Sequence, residues 1–166
     1  MSSTGRASFD PLALRRAFGN FPTGVTVVTA APGGEPVGMT IGSFFSVSLD
    51  PPLVGLCADK GSSSWPRMER ANSFAVNLLA ADQSHLSNHF ASKDDDKFAG
   101  IPWRPAASGA PLLDGVIGWI DCVTEQTVES GDHWIIIGRV TGIEIEREVD
   151  PLVFFRGRYG SFRTED

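Results

Sequence analysis

The stretch GMTIGSFFSVSLDPP, residues 38–52, holds the first residues whose types and spacing are suited to chemistry. It has the period-two alternation of a β-strand, but Gly42 and Ser43 interrupt that alternation. A glycine within a strand marks either a bend of the chain or a place where a ligand approaches the main chain. A flat heteroaromatic ring would fit such bare backbone, with the Thr40 hydroxyl beside it. The pattern alone leaves both interpretations open.

The segment DKGSSSWPRM, residues 59–68, is a candidate phosphate site. Its proline predicts the first turn of a helix, because proline is well tolerated only there. We expect Ser64 to cap this helix, which leaves Ser62 and Ser63 beside Lys60 at a helix start that favours anions. The spacing is not that of a Walker motif. A phosphate cradle and an ordinary serine-rich surface loop both agree with the segment.

The histidines offer acid–base or metal chemistry. His133 directly follows the turn ESGD at the start of a long predicted strand, where it could contact a substrate or donate a proton; an ordinary surface histidine is the alternative. His85 and His89 have the spacing that lets two imidazoles bind one metal ion, but no third ligand follows at a set spacing, so we predict no metal site. No serine nucleophile elbow and no cysteine with an evident base supports covalent catalysis.

The composition is that of a globular protein without a membrane span. The chain has 166 residues, 42% hydrophobic and 20% charged, which suits one domain over residues 1–166. No apolar run approaches the ~20 residues of a membrane helix. The amino terminus lacks the apolar core of a secretion signal, which predicts a cytoplasmic protein. In that compartment Cys57 and Cys122 are expected to be buried thiols rather than a disulfide.

The net charge of −6 argues against a nucleic-acid partner, because nucleic-acid binders present a basic face to the phosphates. The nearest approach to a basic cluster is Arg156, Arg158 and Arg163. Aromatic residues alternate with these arginines, a pattern that also occurs where bases stack on a protein surface. The acidity of the rest of the chain nevertheless predicts no nucleic acid.

The elements that position these residues are mostly strands. A short helix is expected after the capping Asp10, with Leu12, Leu14 and Phe18 on its apolar side. Strands are predicted at 23–30, 38–49, 53–58 and 73–79, two long antiparallel strands on either side of the turn ESGD, and one last short strand within 151–160; a helix capped by Asp82 precedes a long loop at 93–111. Strands that follow strands indicate a mainly β fold, a small antiparallel barrel, closed or split, with a few short helices.

With these motifs in place, the chain resembles the flavin reductase family, the small reductase components of two-component flavin-dependent monooxygenases, which have an FMN-binding split-barrel fold. The resemblance covers nearly the whole chain and includes FPTGVTVVT, GMTIGSFFSVSLDPPLV, KGSSSWPRM, FAVNLLAADQSHLSNHFA, DKFAG, GDHWIIIGRV and PLVFFRGRYG, in the family's order. Any one of these motifs would be weak evidence, but together they are specific.

The resemblance implies where FMN or FAD and a nicotinamide would bind. The implied flavin-contacting positions are Thr40, Ile41, Gly42 and Ser43 along the ring, Lys60, Ser62, Ser63 and Ser64 at the phosphate, and Ser87 and Phe90 beside the flavin. The nicotinamide of NADH or NADPH would arrive at His133 and Tyr159, with His133 as the catalytic docking or proton-relay residue. Many relatives carry serine or asparagine where this chain has Gly42, so main chain would replace a side-chain hydrogen bond there.

The implied activity is hydride transfer from NADH or NADPH to FMN or FAD, with the reduced flavin supplied to a partner monooxygenase, by a homodimer. The absence of a G-x-G-x-x-G fingerprint does not contradict this, because a nicotinamide that only visits needs no dinucleotide-binding fold of its own. One alternative is a split-barrel protein that keeps its flavin permanently, as an oxidase or electron carrier. Another is a non-catalytic barrel for an apolar small molecule. We predict no membrane partner and no metal.

Overall fold

The computed structural model describes residues 8–165 of the chain. The helices in this range are α1 (Pro11–Phe18), α2 (Trp65–Met68) and α3 (Ser84–Ala91). The strands are β1 (Thr23–Gly24), β2 (Thr26–Ala30), β3 (Val37–Ile41), β4 (Phe45–Leu49), β5 (Pro52–Asp59), β6 (Ser73–Leu78), β7 (Trp103–Pro105), β8 (Pro111–Leu113), β9 (Gly118–Ser130), β10 (His133–Ile145), β11 (Leu152–Phe155) and β12 (Arg158–Ser161). The predicted pair of long strands around the turn ESGD is therefore present as β9 and β10.

The largest sheet joins its strands in the order β3-β2-β6-β9-β10-β5-β4, with every neighbouring pair antiparallel. β3 and β4 lie at opposite edges of this sheet, although only Gly42, Ser43 and Phe44 separate them in the chain. So short a connection spans at most about 14 Å, so the two edges must lie close together. The sheet is consequently rolled into an antiparallel barrel that is split between β3 and β4, as the sequence predicted.

The stretch 38–52 is not one interrupted strand, as the sequence suggested, but two strands with different neighbours. β3 pairs with β2, whereas β4 pairs with β5. The alternation continues across the break because both strands contribute to the same rolled sheet, and alternation carries no information about which strand is the partner. Gly42 therefore lies where the chain passes from one edge of the sheet to the other.

The barrel interior is filled by apolar side chains that come from both halves of the sheet. They include Val28, Ala30, Val37, Met39, Ile41, Val54, Leu56, Ala58, Phe74, Val76, Cys122 and Ile136, with Trp65 and Met68 of α2 closing one end. A second core packs α3 against the outside of the barrel, where Phe90 is fully buried. A Cβ on Gly38 would lie 3.0 Å from the Phe90 ring, so the glycine lets α3 lie directly on β3.

Two of the predicted strands are divided differently in the structure. Residues 23–30 form β1 and β2, because Val25 turns inward between them and is buried in the second core. Residues 151–160 form a hairpin of β11 and β12 instead of one strand. β1 pairs with β11, which gives a small sheet β1-β11-β12 beside the barrel. The predicted loop at 93–111 also carries a strand, β7, which pairs with β8.

The helix ends agree only partly with the prediction. The Asp10 carboxylate accepts a hydrogen bond from the Leu12 N–H at 3.2 Å and caps α1, as expected. Asp82 does not cap α3; it lies in a preceding 3-10 turn, Ala81–Gln83, and forms an ion pair with Arg147. The apolar side predicted for α1 is not packed into the core, since no residue of α1 is buried.

Candidate active site

The Ser43 side chain fixes the position of the connection between β3 and β4. Ser43 Oγ donates to the Cys57 carbonyl oxygen at 3.1 Å and accepts from the Cys57 N–H at 2.9 Å. The Ser43 hydroxyl thus pairs with the Cys57 N–H and carbonyl of β5, as the backbone of a neighbouring strand otherwise would. Gly42 and Ser43 themselves are exposed. A Cβ on Gly42 would lie 3.3 Å from Thr23 Oγ1, so a larger residue would crowd the start of β1.

The exposed main chain of this connection lies in a cleft of about 720 Å³, which we call the aromatic cleft. Its lining is Phe18, Phe21, Pro22, Thr23, Gly24, Gly42, Ser43, Phe44 and Phe45. A volume of roughly 300 to 1,000 Å³ with mostly apolar walls and a few polar groups is typical of small-molecule sites. Aromatic side chains around bare backbone suit a flat ring.

The residues just before this connection face other parts of the structure. Ile41 is buried in the barrel core, so only its main chain can reach a ligand. The Thr40 hydroxyl donates to the Ser87 carbonyl oxygen at 2.6 Å and fastens β3 to α3. Thr40 also lines a second cleft, so the chain from Thr40 to Ser43 runs from one cleft to the other.

The second cleft, about 600 Å³, is called here the serine cleft. Its lining includes Met39, Thr40, Asp59, Gly61, Ser62, Ser63, Ser64, Phe90, Ala91, Ser92, Lys93, Asp95 and Lys97. The predicted capping role of Ser64 belongs to Ser62, whose Oγ accepts from the Ser64 and Trp65 N–H groups at 3.2 and 3.3 Å. Ser63 is exposed. The cleft therefore combines hydroxyl groups and two lysines, which can hold a phosphate, with the carboxylates of Asp59 and Asp95.

Lys97 is the buried one of the two lysines that line this cleft, and its place there was not predicted from the sequence. Its side chain is only 8% exposed, and Nζ donates to the Phe90 carbonyl at 2.9 Å, to Ser64 Oγ at 3.2 Å and to the Gly38 carbonyl at 3.5 Å. Burial lowers the pKa of Lys97 from its ordinary 10.5. Lys97 thus connects α3, α2 and β3 around the cleft. The segment DKFAG contains it, but no local pattern distinguishes a buried lysine from a surface one.

The Lys60 side chain does not line the serine cleft but points toward the turn between β9 and β10. Its Nζ lies 2.5 Å from Glu129 Oε1 and 2.6 Å from the Gly131 carbonyl oxygen, and 5.1 Å from the centre of the Trp134 ring. The ion pair lowers the pKa of Glu129. The Lys60 N–H also donates to the Asp132 carbonyl at 3.0 Å. Lys60 therefore ties the serine loop to the turn between β9 and β10, and its role at a phosphate stays a prediction.

His133 begins β10 directly after that turn and lies opposite Asp59 of β5, a residue of the serine cleft. Its side chain is 41% exposed, and Nδ1 lies 2.7 Å from Asp132 Oδ1. This contact lowers the pKa of Asp132. His133 is thus accessible and pairs with a residue at the rim of the cleft without lining the cleft itself, while its assignment to the nicotinamide stays a prediction.

Tyr159, Ser87 and Phe90 lie on the other side of the site. The Tyr159 hydroxyl lies 2.8 Å from Ser87 Oγ and donates to Asn88 Oδ1 at 3.0 Å, which joins β12 to α3. Ser87 and Phe90 are buried, at 1% and 0% exposure; Phe90 lines the serine cleft, whereas Ser87 lines neither cleft. The structure brings Tyr159 and His133 to different sheets, and their predicted roles are untested.

Within residues 8–165, no three His, Cys, Asp or Glu side chains cluster as metal ligands, and no helix is long and apolar enough to cross a membrane. His89 Nε2 lies 2.8 Å from the Lys97 carbonyl oxygen. Both cysteines are free thiols; Cys122 is buried as predicted, and Cys57 only partly so. Burial, with a smaller contribution from Asp121, raises the pKa of Cys122 to about 12.

Comparison with known proteins identifies the family to which this arrangement belongs. A family model described as a flavin reductase like domain matches residues 18–163. The chain belongs to the flavin reductase family. It is 48% identical over 158 residues to a flavin reductase of Pseudomonas putida, which covers 95% of this chain and 93% of the relative. It is 45% identical over 152 residues to HsaB of Rhodococcus jostii, the reductase subunit of a flavin-dependent monooxygenase, over 92% of this chain and 78% of the relative.

The fold of this flavin reductase is shared with solved structures. SgcE6 of Streptomyces globisporus, an NADH:FAD oxidoreductase, superposes with a TM-score of 0.89 at 40% identity, over 97% of this chain and 99% of that one. The predicted family, split-barrel fold and flavin reductase activity are thus confirmed. The roles of individual residues toward flavin and nicotinamide stay predictions.

Proposed function

We propose that this flavin reductase holds the ring of FMN or FAD against the main chain of Gly42 and Ser43, receives hydride from NADH or NADPH, and passes the reduced flavin to a partner monooxygenase. The observation that carries the proposal is the exposed backbone between β3 and β4, which lines the aromatic cleft and directly continues the part of β3 that lines the serine cleft. Relatives named as reductase subunits of flavin-dependent monooxygenases support the partner.

The residues present fit a flavin at both ends. The aromatic cleft offers apolar walls and bare main chain to the ring. The serine cleft offers the exposed Ser63 hydroxyl and the exposed Lys93 to the phosphate, whereas Lys97 Nζ is held by three protein acceptors and the carboxylates of Asp59 and Asp95 line the same cleft. Thr40 connects the two clefts, and its hydroxyl is engaged with α3, so the ligand-facing group along β3 is the backbone. Because the ligand would contact the backbone here, no side chain is required at position 42 and a glycine suffices.

The nicotinamide supplies the hydride and the flavin ring accepts it, so the protein contributes orientation and electrostatics. We assign the N–H groups of Gly42 and Ser43 as donors toward the ring, where fixed dipoles would stabilise developing negative charge. His133 at the rim is assigned to docking the nicotinamide and to proton transfer. Tyr159 is assigned to the same ligand from the side of α3.

The activity is tested by mixing purified protein with FMN or FAD and with NADH or NADPH, and following the loss of reduced-nicotinamide absorbance. We expect oxidation that depends on added flavin. Rapid gel filtration then measures how much flavin stays with the protein. Flavin that is not released on dilution would favour the permanently bound alternative, and protein that neither binds flavin nor oxidises nicotinamide would contradict the whole proposal.

We further propose a homodimer, which is supported by apolar side chains that the single chain leaves uncovered near the aromatic cleft. Leu49 of β4 is 93% exposed, and Phe18 and Phe21 are 69% and 75% exposed. Sedimentation of Leu49→Glu should show a shift toward monomer. Gln126→Glu introduces the same charge at a polar, exposed position of β9 and should leave the dimer intact; an unchanged dimer in Leu49→Glu contradicts this surface. The two free thiols support a reducing compartment such as the cytoplasm.

A further inference from the structure

Two adjoining clefts beside the aromatic cleft contain a concentration of arginine side chains that the assignments above leave unused. Arg156 and Arg158 line a cleft of about 710 Å³, and Arg15, Arg16 and again Arg156 line a neighbouring cleft of about 520 Å³. We call the two together the arginine groove. Among residues 8–165, no acidic side chain lines either cleft and none of these arginines forms an ion pair. In a chain of net charge −6, so local an excess of positive charge indicates an anionic ligand.

Arg156 occupies a backbone conformation that arginine disfavours. Its φ is +50° and that of Gly157 is +76°, so the two residues form the tight turn between β11 and β12. Such turns favour asparagine or glycine at both central positions, because other side chains are strained at positive φ. Strained residues concentrate at functional sites, where the side chain is needed despite the conformation. The turn itself therefore does not explain an arginine at this position.

The surroundings of Arg156 orient its guanidinium toward the groove. Its backbone N–H donates to the Gly19 carbonyl at 2.9 Å, and Nε donates to Asn20 Oδ1 at 2.8 Å. The guanidinium lies 4.8 Å from the centre of the exposed Phe155 ring. Since Nε is engaged with Asn20, in the turn that follows α1, the two terminal nitrogens are the donors that face a ligand. A guanidinium presented this way matches a phosphate with two parallel hydrogen bonds.

The arginine groove is continuous with the candidate active site. Pro22 lines both the groove and the aromatic cleft. Tyr159 also lines the groove, and its hydroxyl contacts Ser87, the residue whose carbonyl accepts from Thr40. A ligand whose reactive ring rests in the aromatic cleft could therefore extend its tail past Pro22 and Tyr159 to the arginines.

We infer that the arginine groove binds the diphosphate of an adenosine diphosphate moiety. This inference rests on the proposed function, because the moiety reaches the groove as the tail of a bound redox dinucleotide. NADH, NADPH and FAD all carry it, whereas FMN and reduced nicotinamide mononucleotide do not. Four guanidinium groups exceed what a single phosphate needs and suit a diphosphate with its multiple negative charges.

The first experiment measures the affinity of the full-length protein for ADP by calorimetry, with thermal unfolding in parallel. Arg156→Asn is the decisive variant, because asparagine suits the positive φ but removes the cation. We expect about a tenfold weaker affinity for ADP, in line with the loss of charged hydrogen bonds, and an unfolding temperature at or above that of the parent. Arg70→Asn removes an exposed arginine outside the groove and controls for net charge.

Either of two results overturns the inference: no binding of ADP to the parent protein at millimolar concentration, or equal weakening in Arg156→Asn and Arg70→Asn. The ADP titration needs no turnover, so it decides the groove even if the protein fails to oxidise reduced nicotinamide, a failure that would count against the proposed function instead.

The second experiment identifies which ligand carries the moiety. In Arg156→Asn, a KM for NADH that rises about tenfold relative to the KM for reduced nicotinamide mononucleotide assigns the groove to the nicotinamide donor. A Kd for FAD that rises by that factor relative to the Kd for FMN assigns it to the flavin. Either result supports binding of the adenosine diphosphate moiety in the arginine groove. If both ratios equal those of the parent protein, the groove does not bind the moiety and the inference is wrong.

Discussion

Ser43 and Cys57 are joined by two hydrogen bonds, from the Ser43 hydroxyl to the Cys57 carbonyl at 3.1 Å and from the Cys57 N–H to the Ser43 hydroxyl at 2.9 Å. This pairing fixes the connection that crosses the split of the barrel. It also uses the donor and an acceptor site of the hydroxyl, so the Ser43 side chain serves the protein and its main chain is left for the ligand. The residue thereby shapes the ring site without a side-chain contact to the ring.

Replacing Ser43 with alanine should weaken both the fold and the flavin site. The variant leaves the backbone groups of Cys57 without their partner, which we expect to lower the free energy of unfolding by about 1 to 2 kcal/mol. The freed connection should also raise the Kd for flavin several-fold. Urea unfolding and a flavin fluorescence titration measure the two effects. Ser46→Ala on the exposed strand β4 is the control, and an unchanged Kd in Ser43→Ala would separate this connection from flavin binding.

Lys60 is expected to act on the nicotinamide through the turn that holds His133. Its ammonium contacts Glu129 and the Gly131 carbonyl, and its N–H contacts Asp132. Lys60→Met should therefore raise the KM for the nicotinamide several-fold with less effect on the Kd for flavin. Glu129→Gln should likewise raise the KM for the nicotinamide.

The double variant distinguishes this role from phosphate binding. If Lys60 and Glu129 act as a pair, the double variant should be no worse than Lys60→Met alone, because the two changes remove one interaction. Flavin affinity that falls in Lys60→Met and stays normal in Glu129→Gln would instead support the phosphate role predicted from the sequence.

His133→Ala tests the docking assignment. The exposed imidazole lies at the rim of the serine cleft, next to Asp132, and no wall of the cleft depends on it. We expect the KM for the nicotinamide to rise by about tenfold or more, the order of one lost charged or polar contact, while the Kd for flavin changes little. Steady-state kinetics and a flavin titration give the comparison. A larger effect on flavin than on nicotinamide would remove the assignment.

The fold could be predicted where the determinants are local. The alternation in β9 and β10 and the turn between them fixed a long hairpin, and Asp10 marked the start of α1. The separation of β3 from β4 could not be predicted in this way, because it depends on pairing with β2 and β5 far along the chain. The hairpin of β11 and β12 was missed because Arg156 stands in its turn where asparagine or glycine would have signalled one.

The candidate site was predictable to a similar degree. Gly42 and Ser43 were found because an interruption of a strand is visible in the sequence. The cation of the serine cleft was not, since a lysine such as Lys97 becomes part of the site only through contacts with three separate elements. Lys60 shows the opposite case. It adjoins the serines in sequence, which predicted a phosphate contact, but its ammonium pairs with Glu129 of β9.

The buried thiol of Cys122 should make the stability of the protein fall at alkaline pH. Its pKa is raised to about 12 in the folded state from an ordinary value of 9.0, chiefly by burial. Between these two values the unfolded chain releases the thiol proton while the folded chain keeps it, so unfolding is favoured as pH rises. The contribution of the neutral thiol is complete below pH 9.0 and declines above it.

The expected slope is about 1.4 kcal/mol of unfolding free energy lost per pH unit within this range, the value for one proton. Cys122→Ala removes the titrating group, so its stability should be lower at pH 7 because of the lost packing but should decline less steeply from pH 9 upward. Cys57→Ala keeps the buried thiol and should retain the steeper decline. Urea unfolding at half-unit steps of pH measures the three slopes. If the parent and Cys122→Ala decline in parallel, the thiol does not titrate on unfolding, and another group must account for the alkaline loss.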